Sequence, residues 1–406
     1  MKKIIFSIVL FTIALTTKAT DLIVQENGGL GTYGSISAAI TAATNGDRII
    51  INNRPGGLYW AEDININKSV QLLSYADAVM FKYQGTVTIT PAVGREITII
   101  GMENNLGNIT ASSNSPAGTR TKVNIYNCLL TAGSINFDYD YFNVNLVSNT
   151  LNSGTVKIRY GKIIGNIINM SGSEYGIRIN SDAIVTNDTI QIIANNIYST
   201  TPYSCIYLNS TSQYFLLSNN LLQASTYGIY IPGIKTGGTG INSILNNSIF
   251  CNNDAIYLTN ISGYQLEVLN NVYDYSGTAS TQYFLYFSGG TLGTINASYN
   301  YVNLYYTLFS NNLTNNGTNV VNASVTFSNT TFLVNSGGSP AINGAHPGTY
   351  YYDLDLTRGD AGCFGGSLTY NNYYPITGSS RVYMITSPRA AISGSVVNIK
   401  ADGFDR

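Results

Sequence analysis

Short runs of alternating apolar and polar residues recur along most of the chain, separated by clusters of Asn, Gly and Ser. In the stretch SILNNSIFCNNDAIYLTN, residues 243–260, asparagine pairs divide strand-like runs. Alternation with a period of two is typical of β-strands, and the repeated stretches lack the apolar period of a helix. The pattern therefore predicts an all-β protein made of short strands.

A short sequence motif that contains asparagine recurs along the chain and alternates with a second motif, which is apolar. Copies of the first, such as IYNCLL, IGNII and LNNVY, follow one another at steps of 17 to 30 residues. The second motif includes YGIRI, CIYL, YGIYI, AIYL and FLYF, and its copies follow one another at similar intervals. Such a repeat, built from short strands, is typical of coils that stack into a solenoid. We therefore predict a right-handed parallel β-helix of about a dozen coils.

Stacked turns would explain why asparagine is placed beside core residues. In a β-helix, equivalent turn positions of successive coils lie about 4.8 Å apart, so an inward asparagine can hydrogen bond its neighbours above and below. These bonds satisfy backbone groups that the strands leave unpaired. The sequence thus predicts a structural ladder rather than ligand contacts. Its predicted members are Asn127, Asn149, Asn166, Asn196, Asn220, Asn247, Asn271, Asn300 and Asn329.

Both ends of such a coil need closure, because a bare strand edge would otherwise be exposed. Residues 35–43 have the pattern of a short amphipathic helix, with Ser35 as its N-cap and an Asn-Gly pair after its end. We predict that this helix covers the first coil. The predicted β-helix spans residues 20–375, and residues 376–406 form a strand-like tail.

Two stretches resemble a known family. The stretch NGDRIIINNRPGGLYWAEDININKSVQLL follows the predicted helix and resembles the opening of pectate-lyase-like right-handed β-helix proteins. The stretch GSPAINGAHPGTYYYDLDLTRGDAGCFGGS, residues 338–367, is similar to the segment that ends the β-helix in many exported proteins of Bacteroidetes-type bacteria. The matching positions in the second stretch are Ser339, Pro340, Ala341, Ile342, Asp353, Asp355, Arg358, Asp360, Gly362, Gly365 and Gly366.

The resemblance implies an architecture and an export route rather than an activity. It extends over residues 22–370, and neither stretch contains a known catalytic residue of the family. The chain departs from the family at Leu356, which is usually glycine there. It departs again at Cys363 and Phe364, where the family has alanine and tyrosine. The resemblance therefore implies a pectate-lyase-like β-helix outside the cytoplasm.

The first residues have the features of a secretory signal peptide. Lys2 and Lys3 precede an apolar run over residues 4–15, and small residues flank a cleavage position after Ala19. The apolar run is shorter than the roughly 20 residues that cross a bilayer, and we expect no transmembrane segment later in the chain. We therefore expect residues 1–19 to be removed and the protein to be secreted, or held at the cell surface or in the periplasm.

The charge balance bears on the class of partner. Only 10% of the 406 residues are charged, and the net charge is −1. Without a basic excess, nucleic acid is not an expected partner, whereas a polysaccharide or a cell-surface glycan remains one. The composition leaves the oligomeric state open.

Charged residues are concentrated between residues 138 and 188, and this charged band holds the candidates for catalysis. Glycoside hydrolysis needs two carboxylates that face one sugar, and lyase chemistry on uronates uses bound Ca²⁺ with an Arg or Lys base. The alternative is that opposite charges pair across coils and only solvate the spiral. The Gly-His-Gly signature of polygalacturonases is absent. The candidates are Asp138, Asp140, Lys157, Arg159, Arg178 and Asp182.

A second charged cluster lies near the end of the predicted β-helix. Asp353 and Asp355 have the spacing of the first two ligands of an EF-hand calcium-binding loop. The twelfth position of such a loop, however, is Phe364 here rather than glutamate. We therefore expect no metal and no cofactor. Instead, Arg358 is expected to pair with the neighbouring carboxylates and to pin the last coil. The predicted end-cap residues are Asp353, Asp355, Arg358 and Asp360.

Cysteine and tyrosine usage bears on the core and on binding. The four cysteines are too few for a disulfide scaffold, and we expect them in the core. Exposed tyrosines can stack on sugar rings, whereas inward ones can stack within the core, and the sequence leaves both readings open. The densest tyrosines are Tyr139, Tyr141, Tyr299, Tyr301, Tyr305 and Tyr306.

Taken with the charge distribution, these features predict a non-catalytic exported protein with a structural, adhesive or glycan-contacting role at the cell surface or envelope. The alternative function is that of a polysaccharide lyase or glycoside hydrolase acting on an acidic polysaccharide. The two differ in one structural respect, because an enzyme requires the charges of the charged band to converge on open space.

Overall fold

The chain forms a parallel β-helix in the computed structural model. The structure describes residues 19–404 apart from 77–78, 173, 200–202, 260–262, 264, 276–281, 290–292, 304–306, 311–316, 322–324, 326–338, 375–380 and 387–395. The predicted signal peptide, apart from Ala19, lies outside these residues. Within them, no helix is long and apolar enough to cross a membrane.

Three sheets of parallel strands form the sides of the coil, and each coil adds one strand to sheets A, B and C in that order. Sheet A contains Thr32–Tyr33, Asp21–Val24, Arg48–Ile51, Gln71–Ser74, Glu96–Ile100, Thr121–Tyr126, Phe142–Val147, Gly161–Ile164, Thr189–Ile193, Tyr214–Ser218, Asn242–Leu245, Gln265–Leu269 and Thr294–Ser298. Sheet B contains Trp60–Ala61, Phe81–Gln84, Met102–Asn104, Leu129–Leu130, Thr150–Leu151, Ile167–Met170, Asn196–Ser199, Leu221–Ala224, Ser248–Cys251, Val272–Tyr275, Tyr301–Val302 and Val320–Val321. Sheet C contains Ile64–Ile66, Val87–Ile89, Ile109–Ala111, Ile135–Phe137, Val156–Ile158, Ile177–Ile179, Ile206–Ser210, Ile229–Ile234, Ile256–Thr259, Tyr283–Ser288 and Thr307–Phe309.

Alternate residues of each short strand point into the coil and form one continuous apolar core. In the strand Ile177–Ile179 both isoleucines are fully buried, while Arg178 between them is only half-buried. Successive strands pair residue for residue, so that Ile163 lies beside Ile192 on the next coil. Because the coils are in register, every outward position also forms a column along the axis of the β-helix. These columns determine which surface groups can act together.

A short helix closes the first coil. It spans Ile36–Ala42, and its N-cap Ser35 accepts a hydrogen bond of 3.1 Å from the backbone N–H of Ala38. The Glu62 carboxylate accepts further bonds from the first N–H groups of the helix, which have no partner within it. Ile36, like the other apolar residues on that face, is buried against the first strands.

An asparagine ladder runs through the turn between sheets A and B. The side-chain N–H of each asparagine donates to Oδ1 of the asparagine one coil further on, at 2.9 Å from Asn220 to Asn247 and 3.0 Å from Asn247 to Asn271. The same Oδ1 accepts the backbone N–H of the preceding asparagine. The described members are Asn149, Asn166, Asn195, Asn220, Asn247, Asn271, Asn300 and Asn319.

The ladder corrects the sequence alignment at two positions. Asn195 rather than Asn196 is the ladder residue of its coil, and Asn196 lies on sheet B. Cys128 holds the ladder position that was given to Asn127, and its N–H donates to Asn149. Asn329 lies outside the described residues.

The cause of the one-residue shift is the backbone conformation just before the ladder. The residue that precedes the ladder position has a positive φ at every ladder position from Cys128 to Asn300, for example +54° at Ala194 and +49° at Asn127. This left-handed region favours glycine and asparagine. Asn127 therefore occupies the left-handed position, and in the pair 195–196 the first asparagine follows Ala194 into the ladder.

The chain returns along the outside of the β-helix after its last strands. Residues 339–374, which we call the strap, include the 3₁₀ helices Thr349–Tyr351 and Tyr370–Asn372. The Tyr301 hydroxyl donates to the carbonyl oxygen of Gly344 near the last coils, and the Tyr374 hydroxyl donates to that of Asn166, several coils earlier. The strap thus runs back over the turns between sheets A and B.

The strand pair Arg381–Thr386 and Lys400–Phe404 follows the strap and forms an antiparallel hairpin. It packs beside sheet A, where the ring of Phe404 stacks on Tyr126 with their centroids 4.9 Å apart. The strand-like tail that the sequence predicts is therefore a hairpin held against the body of the coil.

The end-cap prediction for Arg358 is corrected by its contacts. Its guanidinium donates to the carbonyl oxygens of Ala345 and Gly344 and lies over the ring of Tyr299. The carboxylates bond backbone or hydroxyl groups of the strap instead: Asp353 accepts from Gly366, Asp355 from Thr357 and Asp360 from Asn343. The cluster therefore shapes the strap, rather than pinning the last coil through ion pairs.

The four cysteines, Cys128, Cys205, Cys251 and Cys363, are all buried, and no disulfide joins them. Burial raises the pKa of the Cys251 and Cys363 thiols to about 12. They therefore remain protonated at neutral pH and act as small core side chains.

Candidate functional site

The charged band is neutralised by pairing across coils. Arg159 donates to Asp138 at 2.9 Å and also to Asp140. A further bond to the Asp138 carboxylate comes from the side chain of Asn180, at 2.7 Å. Because the Arg159 guanidinium bonds both carboxylates, Asp138 and Asp140 do not face one sugar across open space, as glycosidases require.

Arg159 is unsuited to the role of a base. Burial acts to lower its pKa, but the hydrogen bonds and charges of Asp138 and Asp140 outweigh burial and leave the pKa raised. The guanidinium therefore keeps its proton at any pH at which the fold exists. Its role in this arrangement is to neutralise two carboxylates.

Two more candidates of the charged band also contact an opposite charge. Lys157 lies 3.0 Å from Glu174, and Asp182 lies 3.3 Å from Arg120. The Asp182 side chain has no exposed surface, so it cannot reach a substrate in this conformation. Arg178 differs from the rest, because it forms no ion pair with the described residues.

Arg178 belongs to an outward column on sheet C that is otherwise rich in tyrosine. Strand pairing sets Lys157 beside Arg178, Arg178 beside Tyr207, and Tyr207 beside Tyr230. The column continues through Tyr257 and Tyr286 on the next two coils. All of these side chains are half-buried, standing between inward apolar residues.

The tyrosine rings of this column contact one another. Ring centroids are 5.5 Å apart between Tyr207 and Tyr230, 5.4 Å between Tyr230 and Tyr257, and 5.1 Å between Tyr257 and Tyr286. The first pair is nearly perpendicular, at 77°, whereas the last pair is parallel within 4°. Edge-to-face and stacked pairs are both favourable arrangements.

Four flanking tyrosines widen the column into a continuous surface. Tyr175 lies 4.6 Å from the ring of Tyr207, and Tyr227 lies 4.5 Å from the ring of Tyr257. We call the whole surface the tyrosine face. Its members are Tyr175, Tyr203, Tyr207, Tyr227, Tyr230, Tyr257, Tyr283 and Tyr286.

The tyrosine face presents neutral hydroxyl groups beside one cation. Burial raises the pKa of Tyr175, Tyr207 and Tyr227, so these hydroxyls keep their protons and can donate hydrogen bonds at neutral pH. The Arg178 guanidinium lies 5.4 Å from the centre of the Tyr207 ring, and its buried Nε has no hydrogen-bond partner in the part of the chain that the structure describes. The surface therefore offers donors, aromatic rings and an uncompensated positive charge.

The tyrosine face was not predicted, although the sequence contains a repeated pattern that indicates it. The recurring motifs CIYL, YGIYI, AIYL and FLYF place tyrosine at the middle of a three-residue strand, between two apolar residues. Inward neighbours on both sides force that tyrosine outward. Equal spacing in the repeat then stacks it above the tyrosine of the previous coil.

The tyrosines singled out for their density have other surroundings. Tyr301 is buried and bonds the strap, Tyr299 lies beneath Arg358, and Tyr139 packs against the core. Tyr141 adopts a left-handed backbone conformation, with φ of +64°. Tyr305 and Tyr306 lie outside the described residues. Local density along the sequence therefore did not identify the aromatic surface.

Metal ligands do not cluster in the part of the chain that the structure describes: no group of three or more His, Cys, Asp or Glu is arranged to hold an ion there. His346 packs between Tyr299 and Tyr351, and its Nδ1 accepts the N–H of Gly348 within the strap.

The structure is similar to the crystal structure of pectate lyase Pel9A, with a TM-score of 0.46 and 12% sequence identity, over 86% of this chain and 97% of that chain. No protein-family model and no curated protein matches the sequence. The fold and the surface together define a parallel β-helix protein with an outward column of tyrosines. The similarity to Pel9A assigns no role to any residue of this chain.

Proposed function

We propose that this protein is a non-catalytic, glycan-contacting protein of the cell exterior that binds an extended acidic polysaccharide along the tyrosine face. The observation behind this proposal is the unbroken outward column from Lys157 and Arg178 through Tyr207 to Tyr286 on sheet C. The export part of the proposal rests on the signal-peptide features of residues 1–19.

The shape of the column suits a linear polymer. Six successive coils contribute one outward side chain each, which amounts to about 24 Å at the spacing of neighbouring strands. Rings that stack along the axis, such as Tyr257 and Tyr286, present their edges and hydroxyl groups to solvent. The nearly perpendicular ring of Tyr230 offers a different surface, and sugars bind both hydroxyl groups and aromatic rings.

The charge at one end of the column favours an acidic polymer. Arg178 forms no ion pair with the described residues, and its guanidinium is only half-buried. A uronate carboxylate that approaches the guanidinium from solvent would supply the missing opposite charge in a charge-assisted hydrogen bond. Lys157 beside it is already paired with Glu174, so Arg178 is the residue expected to discriminate acidic from neutral chains.

The non-catalytic part of the proposal is supported by the pairing within the charged band. Asp138 and Asp140 share Arg159, and Asp182 is buried against Arg120. A sugar-processing enzyme needs a carboxylate or a base that meets the substrate. The tyrosine face itself contains hydroxyl groups of raised pKa, which are poor bases at neutral pH.

Affinity electrophoresis through gels with polygalacturonate or dextran tests the proposal. We expect the acidic polymer to retard the protein more than dextran does. Arg178→Gln and the double variant Tyr230→Ser/Tyr257→Ser should weaken binding of the acidic polymer about tenfold. Tyr198→Ser is the matched control, because Tyr198 is exposed on sheet B, outside the tyrosine face.

The same preparations decide between binding and catalysis. Product is measured as reducing ends and as the absorbance of unsaturated sugars, with and without Ca²⁺. The proposal expects retardation without product. Product that disappears in the double variant Asp138→Asn/Asp140→Asn would establish an enzyme. Equal retardation of the wild type and Arg178→Gln by the acidic polymer would contradict binding at the tyrosine face.

A further inference from the structure

A polar cleft lies on another side of the molecule, between the outer surface of sheet A and the C-terminal hairpin. Its volume is about 560 Å³, which falls within the range of small-molecule sites. Asn143, Asn145 and Gln191 line the sheet side, and Asp402 with its neighbours lines the hairpin side. None of these residues belongs to the tyrosine face.

The two lysines of this cleft are already paired, whereas Asp188, which also lines it, is exposed and bonds the Tyr160 hydroxyl. Lys162 lies 2.6 Å from Asp402, and Lys122 lies 2.8 Å from Glu96. An anionic ligand would have to displace Asp402 or Glu96 from its lysine, and it would also meet the Asp188 carboxylate, which can accept hydrogen bonds from the hydroxyl groups of a neutral ligand. The groups left to recognise a ligand are therefore the amides and hydroxyls of the cleft, which favour an uncharged, hydrogen-bonding molecule.

Two amide side chains, those of Asn145 and Gln191, line the cleft on coils that lie close to each other. Asn145 is 7% exposed, and its N–H donates to Oδ1 of Asn124 at 2.9 Å, which fixes the orientation of the amide at the cleft. Asn124 is in turn bonded to Glu96, so this polar row is preorganised. Oε1 of Gln191 is buried and has no hydrogen-bond partner among the described residues. A buried acceptor without a donor is unfavourable, so a ligand hydroxyl that draws this oxygen into the cleft would be stabilised.

An aromatic side chain completes the cleft. Tyr160 lines it, and the guanidinium of Arg120 lies over the Tyr160 ring, 4.1 Å from its centroid. The stacked contact holds the ring in place. A fixed aromatic ring beside amide acceptors is a combination that suits sugars, which have both hydroxyl donors and apolar C–H surfaces.

We propose that the cleft between sheet A and the C-terminal hairpin is a second binding site, specific for a short neutral oligosaccharide. The hairpin then has a defined role, because it forms one wall of this site. The inference is independent of the proposed function, since the two sites differ in residues, in the side of the β-helix and in the charge of the ligand.

Isothermal titration calorimetry with neutral tetrasaccharides (cellotetraose, mannotetraose and xylotetraose) and with tetragalacturonate tests the site. At least one neutral probe should bind, and Gln191→Leu should weaken its binding about tenfold. Asn143→Leu is a second variant at the rim. Asn296→Leu, an exposed asparagine on the same sheet outside the cleft, should leave binding unchanged. Circular dichroism verifies the fold of each variant.

Arg178→Gln separates the two sites, because it should leave neutral binding unchanged even if the acidic polymer no longer binds. The inference is overturned if no neutral probe binds at concentrations up to about 10 mM. It is equally overturned if Gln191→Leu and Asn143→Leu bind as the wild type does. Tighter binding of tetragalacturonate at the cleft would contradict the assigned ligand class.

Discussion

The side-chain N–H of Asn219 donates a hydrogen bond of 3.1 Å to the carbonyl oxygen of Cys363, which lies 144 positions later in the chain. Asn219 has a positive φ, and the next residue, Asn220, belongs to the inward ladder. The pairs 246–247 and 270–271 repeat this division, with the first asparagine bonded to the strap and the second to the ladder. The two residues of each pair therefore have different structural roles.

Removing the outward asparagine should loosen the strap without harming the coil. Asn219→Gly keeps the left-handed conformation but loses two hydrogen bonds to the strap, to Cys363 and Gly365. We expect a loss of about 1–3 kcal/mol and faster amide exchange in the strap. Ser148→Gly is the control at an equivalent position with φ of +57°, because the Ser148 hydroxyl has no hydrogen-bond partner among the described residues, and it should be neutral or stabilising because it relieves strain. Equal exchange in both variants would contradict this role of the strap.

Removing an inward asparagine should destabilise the protein more than removing an outward one. Asn247→Leu leaves the backbone and side-chain N–H groups of Asn220 without their shared acceptor, and it removes the side-chain donor, but not the backbone donor, to Oδ1 of Asn271. Each buried unpaired group costs about 1–3 kcal/mol, so chemical denaturation should report a loss of at least about 3 kcal/mol. Asn296→Leu, an exposed asparagine of sheet A, should cost far less. Comparable losses in the two variants would mean that the ladder does not stabilise the coil.

The charged band makes a stability prediction of its own. Arg159→Met leaves Asp138 and Asp140 partly buried without their cation, which should destabilise the protein by about 1–3 kcal/mol. Lys122→Met breaks the pair with Glu96, whose side chains are about half exposed, and should cost at most about 1 kcal/mol. Urea denaturation measures both. A negligible loss for Arg159→Met would leave the two carboxylates available for another role.

The raised pKa of Asp254 predicts that the stability of the protein depends on pH. Burial raises its pKa from 3.8 to about 6, although the N–H of Tyr283 partly offsets this effect. Between these two values the folded protein binds more protons than the unfolded chain, so this residue lowers stability as pH rises from 3.8 to 6.

Asp254→Asn should remove that loss. The variant should be more stable than the wild type by about 1–3 kcal/mol above the folded pKa, with a smaller gain at about pH 4.5. Denaturation at about pH 4.5 and about pH 7.5 measures the difference. A gain of the same size at both values would mean that the Asp254 carboxyl does not titrate in this range.

Most of the architecture was predictable because a repeat imposes the same local rule many times. The alternation around Ile177 and Ile179, repeated on each coil, predicted short strands and their stacking into a parallel β-helix. The ladder was predicted at Asn247 and its equivalents for the same reason. Asn127 and Asn196 were assigned wrongly because the sequence does not display φ, and one residue of left-handed backbone shifts the register.

The strap and the surface columns were harder to predict. Nothing local in the strap indicates that Tyr374 bonds the backbone of Ala194, 180 positions earlier. Arg358 lies near three carboxylates in sequence, yet its donors reach carbonyl oxygens instead. The tyrosine face was encoded in the repeat, but it requires the strand register before Tyr207 and Tyr230 can be placed side by side.

Hydroxyl-radical footprinting with and without polygalacturonate tests the central claim most directly, because it reports which side chains the polymer covers. Binding at the tyrosine face predicts protection of Tyr207, Tyr230 and Tyr257, with Tyr198 and Tyr350 oxidised equally in both conditions, since these two are exposed elsewhere on the molecule. Uniform oxidation of the tyrosine face with the polymer present, or protection confined to other surfaces, would contradict it.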